Sequence, residues 1–468
     1  MAIADQLSRL NELRQNLADT LTTKGVTAAS TEGLETLVPK VAEISSSVCV
    51  IKITFDSAFV GQSYTVTDGN GDTKTGIVPE SCIDSVSVVN INTTYTISAA
   101  VGGVTYSTTV TTGAYYGEYT ATLSTAKIYG VQWDGTSTTA WTRTDDAALF
   151  TDPVPYVNGA ASYGSPFDNI QPWAGMVKSE RTGGTMVAIP KFWYEITQSG
   201  SGLKIRIADK ATSGFSVSPA HMNRGDGKGE RDVVYVGRYH CGESAYKSAT
   251  GQKPKAEITR ATARSSIHDI GTNIWQFDFA MRFTIWLLYI VEFADWNSQA
   301  KIGYGCGDDS SAQNMGYTDS MPYHTGTTQS SRTTYGIGTQ YRYIEGLWDN
   351  VYDWCDGGYN DSNGLNIILN PNNFSDSENG TSVGTPSSGW PSAFALKTEA
   401  GFPMIIPSAA NGSESTYACD GWYFVTYNPC LSSGGAYYQE SKRGIFYIGH
   451  YSVSDTGTHI GSRLQELP

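Results

Sequence analysis

The sequence predicts an α+β fold, with short strands through most of the chain and helices at its start and in one buried segment. Three observations carry this expectation. Residues 3 to 24 place Leu7, Leu10, Leu13, Leu17 and Leu21 at spacings of three and four, the stripe of an amphipathic helix. Residues 48 to 123 change to a period of two: Ile51, Ile53 and Phe55, then Tyr64 and Val66, Val86 and Val88, Tyr95 and Ile97, Val104 and Tyr106. The stretch Asn273 to Asn297 carries Trp275, Phe279, Phe283, Trp286, Leu287, Ile290 and Phe293 and has almost no polar side, as a helix buried all round requires.

Taken in order, residues 1–46 read as a helical segment. Gly25 stops the first helix, and Ser30 or Thr31 caps a second that carries Leu34, Leu37, Val41 and Ile44, with Pro39 interrupting it. Such short helices are marginal alone, so the leucine face needs a partner, either other copies of the chain or a packed hairpin. Residues 47–125 hold about seven short strands with turn signals at Asp68-Gly69, Gly71-Asp72 and Gly102-Gly103, the pattern of a small immunoglobulin-like sandwich. Asp68, Asn70 and Asp72 mimic the start of a calcium loop. Thr73 and Pro79 occupy the positions that need Gly and Glu, so the reading is a hairpin turn. Residues 126–468 form one large unit. In it, Pro190 to Glu195 and Leu203 to Ile207 read as a hairpin, and residues 356 to 415, dense in Asn, Ser, Gly and Pro, read as an insertion or loop layer.

At 468 residues the chain is too long for one ordinary core. Charged residues are 16%, against 50 Gly and 29 Tyr, a polar but uncharged surface of the kind found in β-rich proteins. A net charge of −14 with no basic run argues against nucleic acid, whose binders replace counterions with clustered Lys and Arg. The seven cysteines are odd in number and include no Cys-x-x-Cys pair, which speaks against a zinc knuckle and fits synthesis in a reducing cytoplasm. Cys419 and Cys430 are the one close pair. The opening MAIADQLSRL lacks the apolar centre of a signal peptide, and the longest apolar run, Phe283 to Phe293, is too short to cross a bilayer and contains Glu292. The expectation is a chain that is made in a reducing cytoplasm and either leaves by a route other than Sec secretion or stays inside, with no membrane insertion; a part freed by lysis satisfies both.

The candidate functional stretch is Cys419 to Leu464. Apolar residues that look fixed in place (Trp422, Phe424, Ile445, Phe446, Ile448, Ile460 and Leu464) alternate with tyrosyl, small and polar ones. The latter are the predicted ligand-binding set: Tyr423, Tyr427, Ser432, Ser433, Tyr437, Tyr438, Glu440, Lys442, His450, Tyr451, Ser452, Asp455 and His459, with Thr456 among them. Tyr with Ser, Gly and Asn on exposed loops gives stiff amphipathic contact area with adaptable hydrogen bonding, the chemistry of antibody loops.

Gly444-Ile445-Phe446-Tyr447 followed by Ile460-Gly461-Ser462-Arg463-Leu464 resembles the variable region of retroelement-diversified proteins. These are phage tail and cell-surface proteins on a C-type lectin fold. Tyr343-Ile344-Glu345-Gly346-Leu347-Trp348-Asp349-Asn350-Val351-Tyr352-Asp353-Trp354 resembles the Trp-x-Asn-Val-x-x-Trp core of the lectin-like and formylglycine-generating-enzyme fold, with Asp349 where that family has Gly. The helical start also resembles N-terminal segments of phage tail proteins. These resemblances imply a C-type lectin-like C-terminal domain and a tail-fibre or receptor-binding protein. It would be a homotrimer held in a virion beside other tail proteins, binding a bacterial surface protein or glycan. The alternatives are an oxidoreductase of the formylglycine-generating type using the cysteine pair, or a purely structural virion protein.

Other motifs carry less. There is no Gly-x-Ser-x-Gly and no His-Glu-x-x-His, and His221, His240, His268, His324, His450 and His459 lie far apart. Adjacent Asp308 and Asp309 would face opposite sides of a strand. Asp353 and Asp356 flank Trp354 where a sugar or calcium could bind, although the Glu-Pro-Asn signature of calcium lectins is missing. Arg224-Gly225-Asp226 spells an adhesion tripeptide inside a glycine-rich turn. The expectation is binding without catalysis, cofactor or metal.

Overall fold

The computed structural model describes residues 3–23, 26–41, 48–114, 116–156, 162–306, 310–321, 338–439 and 443–468. Gly25, Ile44, Asp308, Asp309, His324, Glu440 and Lys442, all named above, lie outside the described residues. The chain divides into two compact units, Met1–Thr125 and Ala126–Pro468.

In the first unit, helix Ile3–Thr23 is followed by Leu34–Lys40, whose N-cap is Gly33 rather than Ser30 or Thr31 and makes no side-chain capping bond. Ala18 and Leu21 pack with Val26 and Leu37 in a small apolar cluster, so the last turns of the first helix are covered within the chain. Ile3, Leu7, Leu10 and Leu13 stay exposed. Seven strands follow in a three-stranded and a four-stranded sheet. Cys49–Phe55 pairs antiparallel with Ile83–Val88 and parallel with Glu118–Leu123. Alternation puts Ile51, Ile53 and Phe55 inside, where the Phe55 ring meets that of Tyr64 in the other sheet at 4.9 Å. The Asp68 turn is a hairpin: Asp68 Oδ1 accepts from the backbone N–H of Asn70 and Asp72 at 3.0 and 2.9 Å.

The second unit is built on three sheets. One five-stranded sheet runs Lys178–Arg181, Gly184–Pro190, Val233–Gly237, Leu464–Glu466 and Ile274–Gln276, so the C-terminal strand is paired on both sides. A second runs Ser216–Val217, Trp193–Ser199, Gly202–Ala208, Ile128–Trp133 and Thr142–Asp145. The third centres on Tyr352–Asp361, flanked by Gly364–Ile367 and Cys430–Ser433, with Ile448–Tyr451 beyond and Ile460–Gly461 added in parallel.

Helix Phe279–Phe293 is buried along its whole length. Asp278 caps its start by accepting from Met281 N–H, and Ala294 at φ +51° ends it. It is shorter than the pattern Asn273 to Asn297 suggests, because Ile274–Gln276 is recruited as a strand against Leu464–Glu466. Its two charged side chains are accommodated inside. Arg282 donates to Leu347 O at 3.1 Å and Gly444 O at 3.2 Å. Glu292 accepts from Arg342 Nη2 at 2.5 Å, Tyr341 Oη at 2.9 Å and Ser165 Oγ at 2.7 Å. Around the helix, Trp133, Trp141, Trp296, Phe394 and Phe446 interlock with ring centroids 5.0–6.2 Å apart.

Two expectations are corrected. The chain is β-rich, with strands holding 35% of the described residues against 15% in helices, so the α+β class with a C-type lectin-like domain is not what the structure presents. The reason lies in the composition: Gly, Thr, Ser and Tyr between short apolar runs give many small sheets, and helical periodicity is sustained in few stretches. Residues 356 to 415 are also more than a loop layer, because Gly364–Ile367, Ala393–Lys397 and Met404–Ala409 pair as strands and Ile405 and Ile406 enter the core.

Candidate functional site

The candidate site follows from the pleat of the third sheet. Register pairs Trp354 with Ser432, Cys430 with Tyr451 and Ser432 with Gly449. Alternation therefore puts Tyr352, Trp354, Cys430, Ser432 and Tyr451 on one face and Asp353, Cys355, Leu431, Ser433 and Ile448 on the other. The second face joins the main core with helix Phe279–Phe293. On the first, Tyr352, Trp354, Cys430, Tyr447 and Ile460 form a smaller cluster with Ile258 and Ala263, and Tyr423 and Tyr451 pack on it half-buried. Trp354 is covered there and donates its indole N–H to Ile258 O at 2.9 Å.

Beyond Trp354 this face opens into a run of rings. Centroids are 5.4 Å apart for Tyr437–Tyr438, 5.3 Å for Tyr438–His459, 5.9 Å for His459–Tyr451, 6.0 Å for Tyr451–Tyr352, 5.6 Å for Tyr352–Tyr447 and 6.0 Å for Tyr447–Tyr423. Glycines leave room for two of these rings. A Cβ on Gly449 would lie 3.0 Å from Tyr447 Oη, and one on Gly457 2.4 Å from the His459 ring. The backbone under them is tied down: Tyr352 N–H donates to His459 O at 2.9 Å and Tyr437 N–H to Asn350 O at 2.8 Å. Asp455 Oδ2 accepts from Ser452 N–H at 2.8 Å, closing the turn before His459. Tyr437 and Thr458 share a hydroxyl contact at 3.1 Å.

Electrostatically the aromatic patch is neutral. Burial pushes the Tyr447 phenol up to about 12 and raises Tyr352, Tyr451, Tyr423 and Tyr438 above the ordinary tyrosine value. Burial also lowers His450 and His459. At neutral pH the patch therefore presents protonated phenols and uncharged imidazole, with Asp455 at its edge.

The predicted residues separate into groups. Tyr423, Tyr437, Tyr438, Tyr451 and His459 come together in the ring run, with Ser452 and Asp455 in the adjoining turn. Tyr438 is 47% exposed and Tyr427 76% exposed, the latter outside the run. His450 follows the pleat to the face opposite Tyr451 and contacts Asn428 Nδ2 at 3.2 Å. Ser432 and Ser433 are a correction. Both are fully buried in the middle of the sheet, where a strand on each side covers them, and neither side chain reaches solvent. Of the residues expected to be fixed, Trp422, Ile445, Phe446, Ile448, Ile460 and Leu464 are buried, and Phe424 is half-exposed. Tyr352 and Tyr447 belong to the patch and were missed. The alternation Tyr352-Asp353-Trp354-Cys355 carried the signal for Tyr352.

The competing motifs are structural. Asp353 is buried against Arg463 Nε at 3.1 Å, and Asp356 against Arg264 Nε at 2.6 Å. Arg224 is buried against Asp278 at 2.6 Å, and Asp226 pairs with Arg231, so the adhesion tripeptide is not displayed. Cys419 and Cys430 are free and buried in different clusters. Burial raises the Cys419 thiol well above its ordinary value and the Cys430 thiol to about 11, so neither is an activated thiolate. Among the described residues, no three His, Cys, Asp or Glu side chains gather as a metal cluster.

No protein-family model and no curated protein matches the sequence. Among solved structures, the chain is similar to one from Bacteroides thetaiotaomicron VPI-5482 described as "putative polysaccharide binding proteins". The match has 10% identity and a TM-score of 0.13, covering 40% of this chain and 75% of the other. A likeness at that TM-score assigns neither fold nor ligand.

Proposed function

We propose that the chain is a receptor-binding protein of the phage-tail type, whose C-terminal aromatic patch contacts a protein or glycan on a bacterial surface. The observation that carries the reading is the division of one sheet into a buried, ion-paired face and a face ending in a neutral run of tyrosines and histidine. Stiff rings with hydroxyl tips lose little conformational entropy on contact, and such anchors commonly contribute about 2 kcal/mol or more each when a partner buries them.

The resemblance of residues 444–464 to retroelement-diversified variable regions supports a further part of the proposal: the outward residues change while the buried ones stay. Tyr423, Tyr427, Tyr437, Tyr438, Tyr451 and His459 are the positions free to vary, because their side chains reach solvent. The exposed Ile3, Leu7, Leu10 and Leu13 of the first helix offer an apolar stripe for assembly with other copies, a trimer in this proposal. Multivalent display would strengthen weak single contacts by about 10²-fold or more.

The test is adsorption of the purified chain to host cells. Replacing Tyr438 and Tyr451 by Ala should abolish adsorption while circular dichroism stays unchanged. Adsorption equal to wild type would end the reading. A near-copy of the 3′ coding end, differing at adenines and lying beside a reverse transcriptase gene, is the matching test of diversification.

A further inference from the structure

Away from the aromatic patch, the second sheet of the larger unit turns one face to solvent. Alternation decides which side chains show. Val131, Trp133, Ile196, Leu203 and Ile205 point inward and are buried, so Gln132, Thr142, Thr197 and Lys204 point outward. Register sets these four side by side across four strands: Thr197 opposite Lys204, Lys204 opposite Gln132, and Gln132 opposite Thr142. At the usual strand spacing the row runs about 14 Å. Gln132, Thr142, Thr197 and the following Ser199 are exposed, so an amide and three hydroxyls meet solvent here.

The face is dished on both sides of Gln132. One depression of about 410 Å³ extends over Thr142 and Thr144 to Trp141, and another of about 410 Å³ extends over Lys204 to Thr197 and Ser199. Volumes in this range are those of ligand sites. Asp134 lines both depressions. Its Oδ1 accepts from Thr136 N–H at 3.0 Å and from Thr136 Oγ1 at 2.7 Å, which fixes the carboxylate and leaves Oδ2 for another donor.

Charge narrows the ligand. Lys204 Nζ meets Asp145 Oδ2 at 3.1 Å, and Arg206 Nε meets Glu195 Oε2 at 2.8 Å, so these four charges cancel within the face. Gly130 makes room for the arrangement, since a Cβ there would lie 2.3 Å from Asp145 Oδ2. A polyanion therefore meets cations that are already paired. An apolar partner would strip water from the amide and hydroxyls without replacing their hydrogen bonds. A ligand dense in neutral hydroxyls replaces them, donating to Asp134 and exchanging bonds with Gln132, Thr142, Thr197 and Ser199.

We propose that this dished face binds a neutral oligosaccharide, with Asp134 and Gln132 holding a central sugar unit and the hydroxyl side chains holding its neighbours on either side. The site lies on a different sheet from the aromatic patch and does not rest on the patch being a binding surface.

The experiment is affinity electrophoresis of the full chain in native gels cast with dextran, galactomannan or xyloglucan, with alginate as the anionic control. At least one neutral polysaccharide should retard the chain, and alginate should not. Gln132→Ala combined with Thr197→Ala removes two exposed side chains, and should raise the apparent dissociation constant about tenfold or more with circular dichroism unchanged. Thr142→Ala reads the other depression and should weaken retardation by a smaller factor. Replacing Tyr438 and Tyr451 by Ala should leave retardation as it is. Free migration in all three neutral gels overturns the proposal, and so does retardation by alginate alone or retardation unchanged in the Gln132 and Thr197 variant. Retardation lost only when Tyr438 and Tyr451 are replaced also overturns it, and moves the sugar to the aromatic patch.

Discussion

The two faces of the sheet around Tyr352–Asp361 use the same strands and opposite physics. The inner face carries Asp353, Cys355, Leu431 and Ile448, and Arg463 reaches Asp353 while also donating to Gly237 O at 2.9 Å and Glu345 O at 2.8 Å. Each of those contacts fixes a backbone position. The outer face is held by ring against ring, with few directional bonds beyond the hydroxyl contacts. An ion-paired interior tolerates little change, because removing one partner strands the other. The rings of the run that reach solvent, Tyr423, Tyr437, Tyr438, Tyr451 and His459, tolerate much, because water replaces what is lost. That difference is what a binding surface on a fixed frame requires.

Arg463 is where the contrast breaks first. Arg463→Met leaves Asp353 charged and buried, and should lower unfolding stability by about 3–5 kcal/mol in urea denaturation. A loss below about 1 kcal/mol would mean the inner face is not the frame.

The next effect is in acid and also belongs to the interior. His221 is buried between Ser218 Oγ at 2.6 Å and Ile189 O at 2.8 Å, and burial lowers its pKa to about 4. A histidine whose folded pKa lies below its unfolded value of about 6.5 binds its proton better when unfolded. Its contribution is therefore full above about pH 6.5 and is lost as pH falls toward about 4, by about 3 kcal/mol. His221→Gln should flatten the stability profile in that window. An unchanged acid slope would place the sensitivity elsewhere.

A smaller effect separates the buried serines from the exposed tyrosines of the same stretch. Ser432 lies under Gly449 and beside Tyr447, with no room for a larger side chain. Ser432→Leu should cost about 1–3 kcal/mol through overpacking, seen as a lower thermal midpoint. If the substitution is silent, Ser432 returns to the set of variable positions.

Much of the interior was legible in the sequence. Trp422, Phe446, Ile448 and Leu464 announced themselves as apolar residues recurring through a polar stretch, and the helix with almost no polar side announced its burial. The outward residues were legible only as a composition. Ser432 and Tyr437 look alike in a list of small and tyrosyl residues, and pairing decides between them: Ser432 has a strand on both sides, whereas Tyr437 follows the end of Cys430–Ser433. The β-rich class was missed for a related reason. Short strands such as Gly364–Ile367 draw their stability from neighbours outside their own span, and no local period records those neighbours.

The smallest expected change in stability is the most informative about function. Tyr438 is 47% exposed and packs edge-on against Tyr437 and His459. Tyr438→Ala removes contact area already shared with water, so its unfolding stability should stay within about 0.5 kcal/mol of wild type. Adsorption to cells should nevertheless fall, because a partner would bury the ring that water now wets. The two readouts must part for the outer face to be a binding surface. A large loss of stability at Tyr438 would make the ring run an extension of the core, and the contrast between the faces would disappear.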